Sequence, residues 1–368
     1  MSHSKKIAVF MHDFRGGGAE RVSVRLCNGL IEQYNAEVII FVIDNKGPML
    51  SELNSKIQIK ELNCNRMAFA FWELAKHIKK LQPDLVISHM THANVTACLA
   101  AIIGRFTNKL VVVEHNQMQK NLGVINKRTV KLAYHLTKLL YNVPKKIIAV
   151  STGVKQSILD FTKVKSNKVS VIYNPVVNDE LINFTPQVKE NLHPFYRENV
   201  PVFICVGSLT KQKNFPFFLK SLKRVTEKTN VKAIILGEGS ERAGLESLVK
   251  QLSLQDVVDM PGFVKNPYDY IANSHAFVLS SSWEGLPTVI IEAIALNTNV
   301  ISTKCPSGPE EILNDGEFGL LVNVDDEAGL AEAMINSLSP KPYNLQGRAE
   351  DFSVDKSVTN YYTLIEDA

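Results

Sequence analysis

The amino-acid sequence predicts an α/β protein made of two doubly wound parallel-sheet domains facing each other across a cleft. Three observations lead there. The chain's 368 residues exceed the length at which a single hydrophobic core stops growing, so two domains are expected. Short runs rich in Val and Ile alternate with helical patterns almost from end to end, and they are continuous rather than alternately apolar and polar. Such runs mark strands covered on both faces, as in parallel sheets flanked by helices. The alternation pauses around residues 175–200, where Pro175, Pro186, Pro194 and Pro201 stand among Asn and Asp.

In chain order the strand runs of the first half are Ile7–Met11, Glu37–Ile43, Ile57–Leu62, Leu85–Met90, Leu110–Val113, Ile147–Val150 and Val169–Tyr173. Those of the second half are Val202–Val206, Ala233–Leu236, Ala276–Leu279, Asn299–Ser302 and Leu320–Val322. The expected organisation is a first domain over 1–185, a linker over 186–200 and a second domain over 201–350. A C-terminal helix over 351–368 is expected to cross back to the first domain. Doubly wound sheets bind ligands outside the carboxyl ends of their strands, so the loops after these runs are where chemistry is sought.

Composition narrows the class. Hydrophobic residues make up 45% and charged residues 21%, ordinary values for a soluble globular protein. Cys27, Cys64, Cys98, Cys205 and Cys305 are scattered without a C-x-x-C pair, which fits a reducing compartment better than a disulfide framework or zinc site. The N-terminus lacks a signal-peptide pattern, and no run approaches the roughly 20 apolar residues that span a bilayer. A cytoplasmic location is therefore expected. The net charge of +4 hides an asymmetry: residues 1–185 hold 25 basic and 13 acidic side chains, a formal +12, and the remainder holds 16 and 24, a formal −8. One half alone is suited to an anionic surface.

The most informative segment is Ser282-Trp283-Glu284-Gly285-Leu286-Pro287-Thr288, followed by Val289-Ile290-Ile291 and Glu292. Pro287 stands where a helix would begin, since its missing N–H costs nothing there. Glu292 then lies one turn into that helix on the face of Thr288. A helix N-terminus attracts phosphate, so a diphosphate between two carboxylates is one reading. A loop Glu followed by a Glu on a solvated helix face is the other. Flanking apolar residues make solvation less comfortable for Glu292 than for Glu284.

This segment resembles the signature of retaining glycosyltransferase family four, whose fold is the two-domain Rossmann-like GT-B architecture. The resemblance implies that Glu292 holds the ribose hydroxyls of a sugar nucleotide and that Glu284 lies beside the transferred sugar. The backbone of Gly285, Leu286, Pro287 and Thr288 would contact sugar and phosphate. Further motifs of that family follow in order along nearly the whole chain. Gly16-Gly17-Gly18-Ala19-Glu20 follows the first strand and resembles the loop lining the donor and acceptor site; it is not G-x-G-x-x-G, and in isolation it is a tight turn. Val206-Gly207-Ser208-Leu209 with Lys213-Asn214 resembles the diphosphate-binding segment, with Lys213 in place and Ser208 where the family carries Arg. Lys211 or a helix dipole is available to compensate. Without a functional role, Lys213 is an exposed lysine at a helix start, a position the dipole disfavours.

Glu114-His115-Asn116 ends a strand, and His115 matches the family's active-site histidine; His12 and His89 also follow strand ends. Leu236-Gly237-Glu238-Gly239, Asn174-Pro175 and Pro306-Ser307-Gly308-Pro309-Glu310-Glu311 read equally well as turn chemistry or as family loops. In the family reading Gly237 clears space for the base, and Phe263 in Gly262-Phe263-Val264 walls it. No D-x-D, H-E-x-x-H, P-loop or G-x-S-x-G occurs. No metal or other cofactor is expected, and the leaving group would be stabilised by Lys213, backbone amides and helix dipoles. His115, Glu284 and Lys213 are thus the catalytic candidates. A nucleotide diphosphate sugar, of UDP for preference, is the expected donor.

Two segments are both basic and apolar. One runs Arg66-Met67-Ala68-Phe69-Ala70-Phe71-Trp72 into Leu74, Lys76, Ile78, Lys79 and Lys80, and the other covers Lys127 to Lys146. Each is an ordinary helix with a core face, or part of an interfacial surface for anionic lipid. Nucleic acid is not an expected partner, because no recognition motif accompanies the charge. The function expected is retaining transfer of a hexose or N-acetylhexosamine to a lipid-linked or polysaccharide glycan, at the cytosolic membrane face. This matches the family's enzymes of O-antigen, capsule and lipopolysaccharide assembly. A nucleotide-sugar epimerase and a non-catalytic sugar-nucleotide-binding protein are the rival readings.

Overall fold

The computed structural model describes residues 4–64, 66–125, 127–187, 192–339, 343 and 345–366. The chain divides into two compact units. The first runs to Val176 and resumes at Phe352; the second is Val177–Asp351.

In the first unit seven parallel strands, β1 (Lys6–Phe10), β2 (Glu37–Val42), β3 (Gln58–Glu61), β4 (Leu85–His89), β5 (Leu110–Glu114), β6 (Lys146–Ala149) and β7 (Val169–Val171), lie in the order 3-2-1-4-5-6-7. The helices between them are α1 (Gly18–Tyr34), α2 (Phe71–Leu81), α3 (Thr91–Gly104), α4 (Met118–Val124), α5 (Arg128–Leu140) and α6 (Thr152–Thr162). Strands β4 and β5 are buried along their whole length, as continuous apolar runs require. The strand order reverses beside β1, which creates a switch point at the carboxyl ends of β1 and β4.

The second unit begins with the one-turn helix α7 (Asp179–Ile182), capped by the Asn178 side chain. Its sheet holds β8 (Val202–Val206), β9 (Lys232–Leu236), β10 (Val258–Gly262), β11 (Ala276–Leu279), β12 (Asn299–Thr303) and β13 (Leu320–Val322), in the order 10-9-8-11-12-13. Its further helices are α8 (Phe215–Thr226), α9 (Arg242–Gln251), α10 (Tyr268–Asn273), α11 (Thr288–Ala295), α12 (Pro309–Ile312), α13 (Glu327–Ser337) and α14 (Leu345–Ala349). The reversal here falls between β8 and β11. Strand β10 was not among the apolar runs, because Asp259, Pro261 and Gly262 break its pattern. It pairs only with β9, and an edge strand tolerates proline.

The boundary between units differs from the expected linker at 186–200. The chain passes into the second unit at Val177, and the described part of 177–200 is docked on that unit. Val177 and Leu181 are buried. The Gln187 N–H donates to Asp269 Oδ1 at 2.7 Å, His193 Nε2 meets Asp259 Oδ2 at 2.6 Å, and the Tyr196 hydroxyl donates to the Tyr270 carbonyl at 2.9 Å. Prolines forbid long regular elements there but do not prevent packing. The chain leaves the second unit at Asp351 and ends in α15 (Val354–Glu366), which packs on α1. Tyr34 stacks on Tyr362 at 3.8 Å, and Val358 fills the space above Gly29, where a Cβ would lie 2.6 Å from it.

Both basic, apolar segments have the core face of an ordinary helix, with Leu74, Ala75 and Ile78 of α2 and Ala133, Tyr134 and Thr137 of α5 buried. They also leave large apolar side chains in the open: Phe69 and Trp72 at the start of the first, Leu132 and Leu139 in α5. Helix α3 packs against both α2 and α5 and exposes Ile102 and Ile103. Among the described residues no helix is long and apolar enough to cross a membrane.

Candidate active site

In the second unit the candidates gather at the switch point. After β8 the chain passes Gly207 and Ser208, makes a short 3-10 turn at Lys211–Lys213, and enters α8 through Asn214 in the left-handed conformation (φ 50°). Asn is among the few residues that adopt this state readily. The turn is stitched to the loop after β11: the Ser282 N–H donates to the Gln212 carbonyl at 2.8 Å and Ser280 Oγ to that of Lys213 at 2.8 Å. This brings Lys213 Nζ to 2.7 Å from Glu284 Oε1. Ser281 Oγ donates to the same oxygen at 2.6 Å, and Gln212 Nε2 to Oε2 at 3.3 Å. Glu284 is 6% exposed and carries three donors, so its charge is met by named partners. The cation that a helix start disfavours is likewise met, by Glu284.

Ser208 is exposed and brings no charge, and Lys211 beside it is exposed as well. The loops after β8, β9 and β10 lie against one another: the Gly207 N–H donates to the Leu236 carbonyl at 2.9 Å, and the Gly237 N–H to that of Gly262 at 2.8 Å. Gly237 has φ 144°, and a Cβ there would fall 1.9 Å from the Gly207 carbonyl oxygen. What its missing side chain admits is therefore the neighbouring backbone. Phe263 follows β10 and is 62% exposed, leaving an aromatic side chain in the open.

Helix α11 begins at Thr288, with Pro287 one position earlier than expected, as its N-cap and without a side-chain cap. Thr288 and Val289, whose N–H groups open the helix and suit an anion, are half-buried, while the Ile290 N–H donates to the Pro287 carbonyl at 3.1 Å. The preceding loop is clamped by the one after β12: Ser307 Oγ donates to the Gly285 carbonyl at 2.7 Å, and Gly308 (φ 95°) approaches Pro287 and Gly285 where a Cβ would clash. Leu286 and Pro287 are buried. Glu292 lies one turn in, 2% exposed, with the Tyr268 hydroxyl 3.4 Å from Oε1. It is more enclosed than Glu284.

In the first unit Gly16, Gly17 and Gly18 follow β1 and open α1, with Gly17 as N-cap and no side-chain cap. A Cβ on Gly18 would meet nothing within 4 Å, whereas one on Gly17 would lie 2.5 Å from a Glu20 carboxylate oxygen. His12 Nδ1 meets Asp13 Oδ2 at 2.6 Å, and Arg15 Nε approaches the same oxygen at 2.6 Å. His115 follows β5, half-buried, with Nε2 3.0 Å from Nδ1 of His89 at the end of β4. Burial pushes the His115 imidazole down to about 4 and that of His89 well below the usual histidine range, helped there by the neighbouring ring. Glu114 does not join them. It accepts from Thr91 Oγ1 at 2.8 Å, from Asn94 Nδ2 at 3.0 Å and from the Tyr141 hydroxyl. Burial raises its carboxyl, against the pull of those donors.

Sequence reasoning missed Gln212, Ser281, Asp13 and Tyr268 as neighbours of these groups. Ser281, Gln212 and Asp13 each adjoin a quoted motif or candidate in the sequence, but nothing local marks Tyr268. Among the described residues no three His, Cys, Asp or Glu side chains come together in a metal-holding group.

A family model described as "Glycosyltransferase Family 4" matches residues 16–180, and one described as "Glycosyl transferases group 1" matches 189–350. The chain is 32% identical over 336 residues to an uncharacterized glycosyltransferase of Methanocaldococcus jannaschii, covering 80% of this chain and 82% of that protein. It is 28% identical, over 96% of both chains, to the Campylobacter jejuni N-acetylgalactosamine-N,N'-diacetylbacillosaminyl-diphospho-undecaprenol 4-alpha-N-acetylgalactosaminyltransferase. Among solved structures the Anabaena protein HepE, in complex with UDP and glucose, superposes with a TM-score of 0.84 at 17% identity, over 99% of this chain and 100% of that one.

Proposed function

Since the chain belongs to glycosyltransferase family four and has its two-domain GT-B fold, we propose that it transfers a hexose or N-acetylhexosamine from a UDP-sugar to a lipid-linked or polysaccharide glycan, with retention and without a bound metal. The observation that carries this reading is the Lys213–Glu284 pair beside the uncapped N-terminus of α11. A cation and the opening amide N–H groups of α11, those of Thr288 and Val289, suit a departing diphosphate. In the step proposed, the anomeric C1–O bond to the diphosphate breaks and the acceptor oxygen bonds to the same face. The acceptor's proton passes to the departing phosphate oxygen.

Lys213 and the N–H groups around Gly285–Thr288 would take up the charge that develops on the diphosphate. Glu292 would hold the ribose, Phe263 would stack on the base, and Glu284 would fix Lys213 and contact the sugar. Gly207 would let the backbone approach the donor, Gly237 would let the loops after β8 and β9 close on each other, and Ser208 would leave one cation fewer than the family pattern. Within the first unit, His115, Gly17 and Gly18 are the candidates for substrate contacts. The Campylobacter relative's name, with its undecaprenol diphosphate, supports a lipid-linked acceptor. A peripheral site on the cytosolic face of an anionic membrane accords with the +12 charge of residues 1–185 and with exposed Phe69, Trp72, Ile102, Ile103, Leu132 and Leu139.

The test is incubation with UDP-sugars and a polyprenyl-diphosphate-linked glycan, with and without EDTA. Acceptor-dependent UDP release and an α-linked product from an α-linked donor support the proposal. Acceptor-independent conversion of the sugar nucleotide would indicate an epimerase, and a strict magnesium or manganese requirement would remove the metal-free reading.

A further inference from the structure

We propose that His89 is a positioning residue that fixes the proton of His115, so that His115 presents an uncharged Nδ1–H to the substrate. The role of His115 as a substrate contact rests on the glycosyltransferase reading above; the geometry of the pair does not.

Strands β4 and β5 run parallel with His89 opposite Val113, so a side chain two residues beyond Val113 falls beside the end of β4. There the two rings meet, His89 Nδ1 to His115 Nε2 at 3.0 Å, with centroids 5.3 Å apart. A contact of this length needs one N–H and one lone pair. Burial holds both rings uncharged at neutral pH, so each carries a single proton and only two arrangements are open. If His115 Nε2–H donates, His89 must carry its own proton on Nε2. If His89 Nδ1–H donates, His89 Nε2 is a bare lone pair and His115 has its proton on Nδ1.

The surroundings of His89 choose between them. His89 is buried, and its Nε2 has no hydrogen-bond partner. An N–H orphaned in the interior is rarer and costlier than an under-used acceptor. The arrangement with His89 as donor avoids the orphaned N–H. It leaves His115 with Nδ1–H, the reverse of the tautomer a free imidazole prefers in water. Among the described residues Nδ1 of His115 has no partner, so this N–H is available. A donor of that kind suits a sugar hydroxyl or the departing phosphate oxygen, and it excludes His115 as the base that takes the acceptor's proton.

The backbone beside His89 supports a fixed geometry. Met90 has φ 78° and ψ 138°, a region that residues with a Cβ rarely enter. It is pinned by its N–H to the Val113 carbonyl at 3.1 Å and by its carbonyl, which accepts from the Asn94 N–H at 2.9 Å. The Asn94 amide also donates to the Val113 carbonyl at 2.9 Å. Strain held this way concentrates where a side chain must be aimed. Here it sets the turn that leaves β4 directly after His89.

The experiment is long-range proton–nitrogen NMR of the protein labelled with 15N-histidine, without substrate and near pH 7, in wild type, His89→Leu and His89→Asn. The wild-type spectrum should show His115 protonated on Nδ1 and bare on Nε2. In His89→Leu the proton should move to Nε2, with kcat falling about tenfold, the scale of one neutral hydrogen bond, and the donor KM nearly unchanged. In His89→Asn the side-chain amide can donate from the Nδ1 position, so the Nδ1–H tautomer should return and kcat should recover to within about threefold. Wild-type His115 protonated on Nε2, or charged, overturns the proposal, as does an unchanged tautomer in His89→Leu. Should that variant not fold, the wild-type and His89→Asn spectra decide alone. The expected tautomer in a protein without transferase activity would remove the proposed function and leave the pair standing.

Discussion

Replacing Lys213 by Met separates what its charge does for the fold from what it does for transfer. The ammonium lies 2.7 Å from Glu284 Oε1, and the two side chains are only 17% and 8% exposed. At an effective dielectric near 20, unit charges about 4 Å apart attract by roughly 4 kcal/mol. Removing one partner of a buried pair costs about 3–5 kcal/mol, because the other charge is left uncompensated. Ser281 and Gln212 still donate to Glu284, so Lys213→Met should fall at the lower end, near 3 kcal/mol, seen as a lowered unfolding midpoint in urea. The double variant with Glu284→Gln should regain most of that stability, since no lone charge remains. Transfer should behave differently: kcat should drop by about 10²–10³ in Lys213→Met, as for loss of an oxyanion donor, and should stay low in the double variant. UDP release at saturating donor and acceptor measures it. Wild-type stability in the single variant, or turnover restored in the double, would refute this account of the pair.

Glu292→Gln should weaken UDP binding by about 1.5–3 kcal/mol, the scale of hydrogen bonds to a charged group, and unchanged calorimetric affinity in a folded variant would remove the ribose assignment. Replacing exposed Lys76, Lys79 and Lys80 by Gln should weaken binding to anionic vesicles by up to about 3 kcal/mol. High salt should mimic that triple variant, and Trp72→Ala should add to it in a salt-independent way; a wild-type protein that ignores such vesicles at low salt would end the membrane proposal. Stability should also fall in acid through His115. Its native value of about 4 lies below the unfolded value near 6.5, so the native state binds fewer protons in between. The contribution is full above pH ~6.5 and is lost toward pH ~4, at up to about 1.4 kcal/mol per pH unit. His115→Gln should flatten the wild-type profile over that range in urea unfolding, and parallel profiles would count against a neutral ring.

Local pattern alone places most of the strands, because a strand covered on both faces must be apolar throughout and Val-rich runs such as Leu110–Val113 have no competing pattern. It also determined the position of α11 to within one residue, since Pro287 is tolerated only at a helix start. Where the pattern carries polar or ring residues for tertiary reasons, it went silent. Strand β10 exists because β9 offers an edge, not because Val258–Gly262 reads as a strand. The unit boundary sits at Val177 because Leu181, Gln187 and Tyr196 find partners on the second unit, a fact no proline count contains. The site divides in the same way. As candidates, Glu284, Lys213, Glu292 and His115 come from local spacing and family resemblance. That Lys213 neutralises Glu284 across 71 positions, and that His89 meets His115 across 26, was decided only when parallel strands brought their carboxyl ends together. Hydrophobic periodicity is a local property that survives in the linear chain, whereas the pairing of charges and the direction of a proton depend on distances that exist only in the folded state.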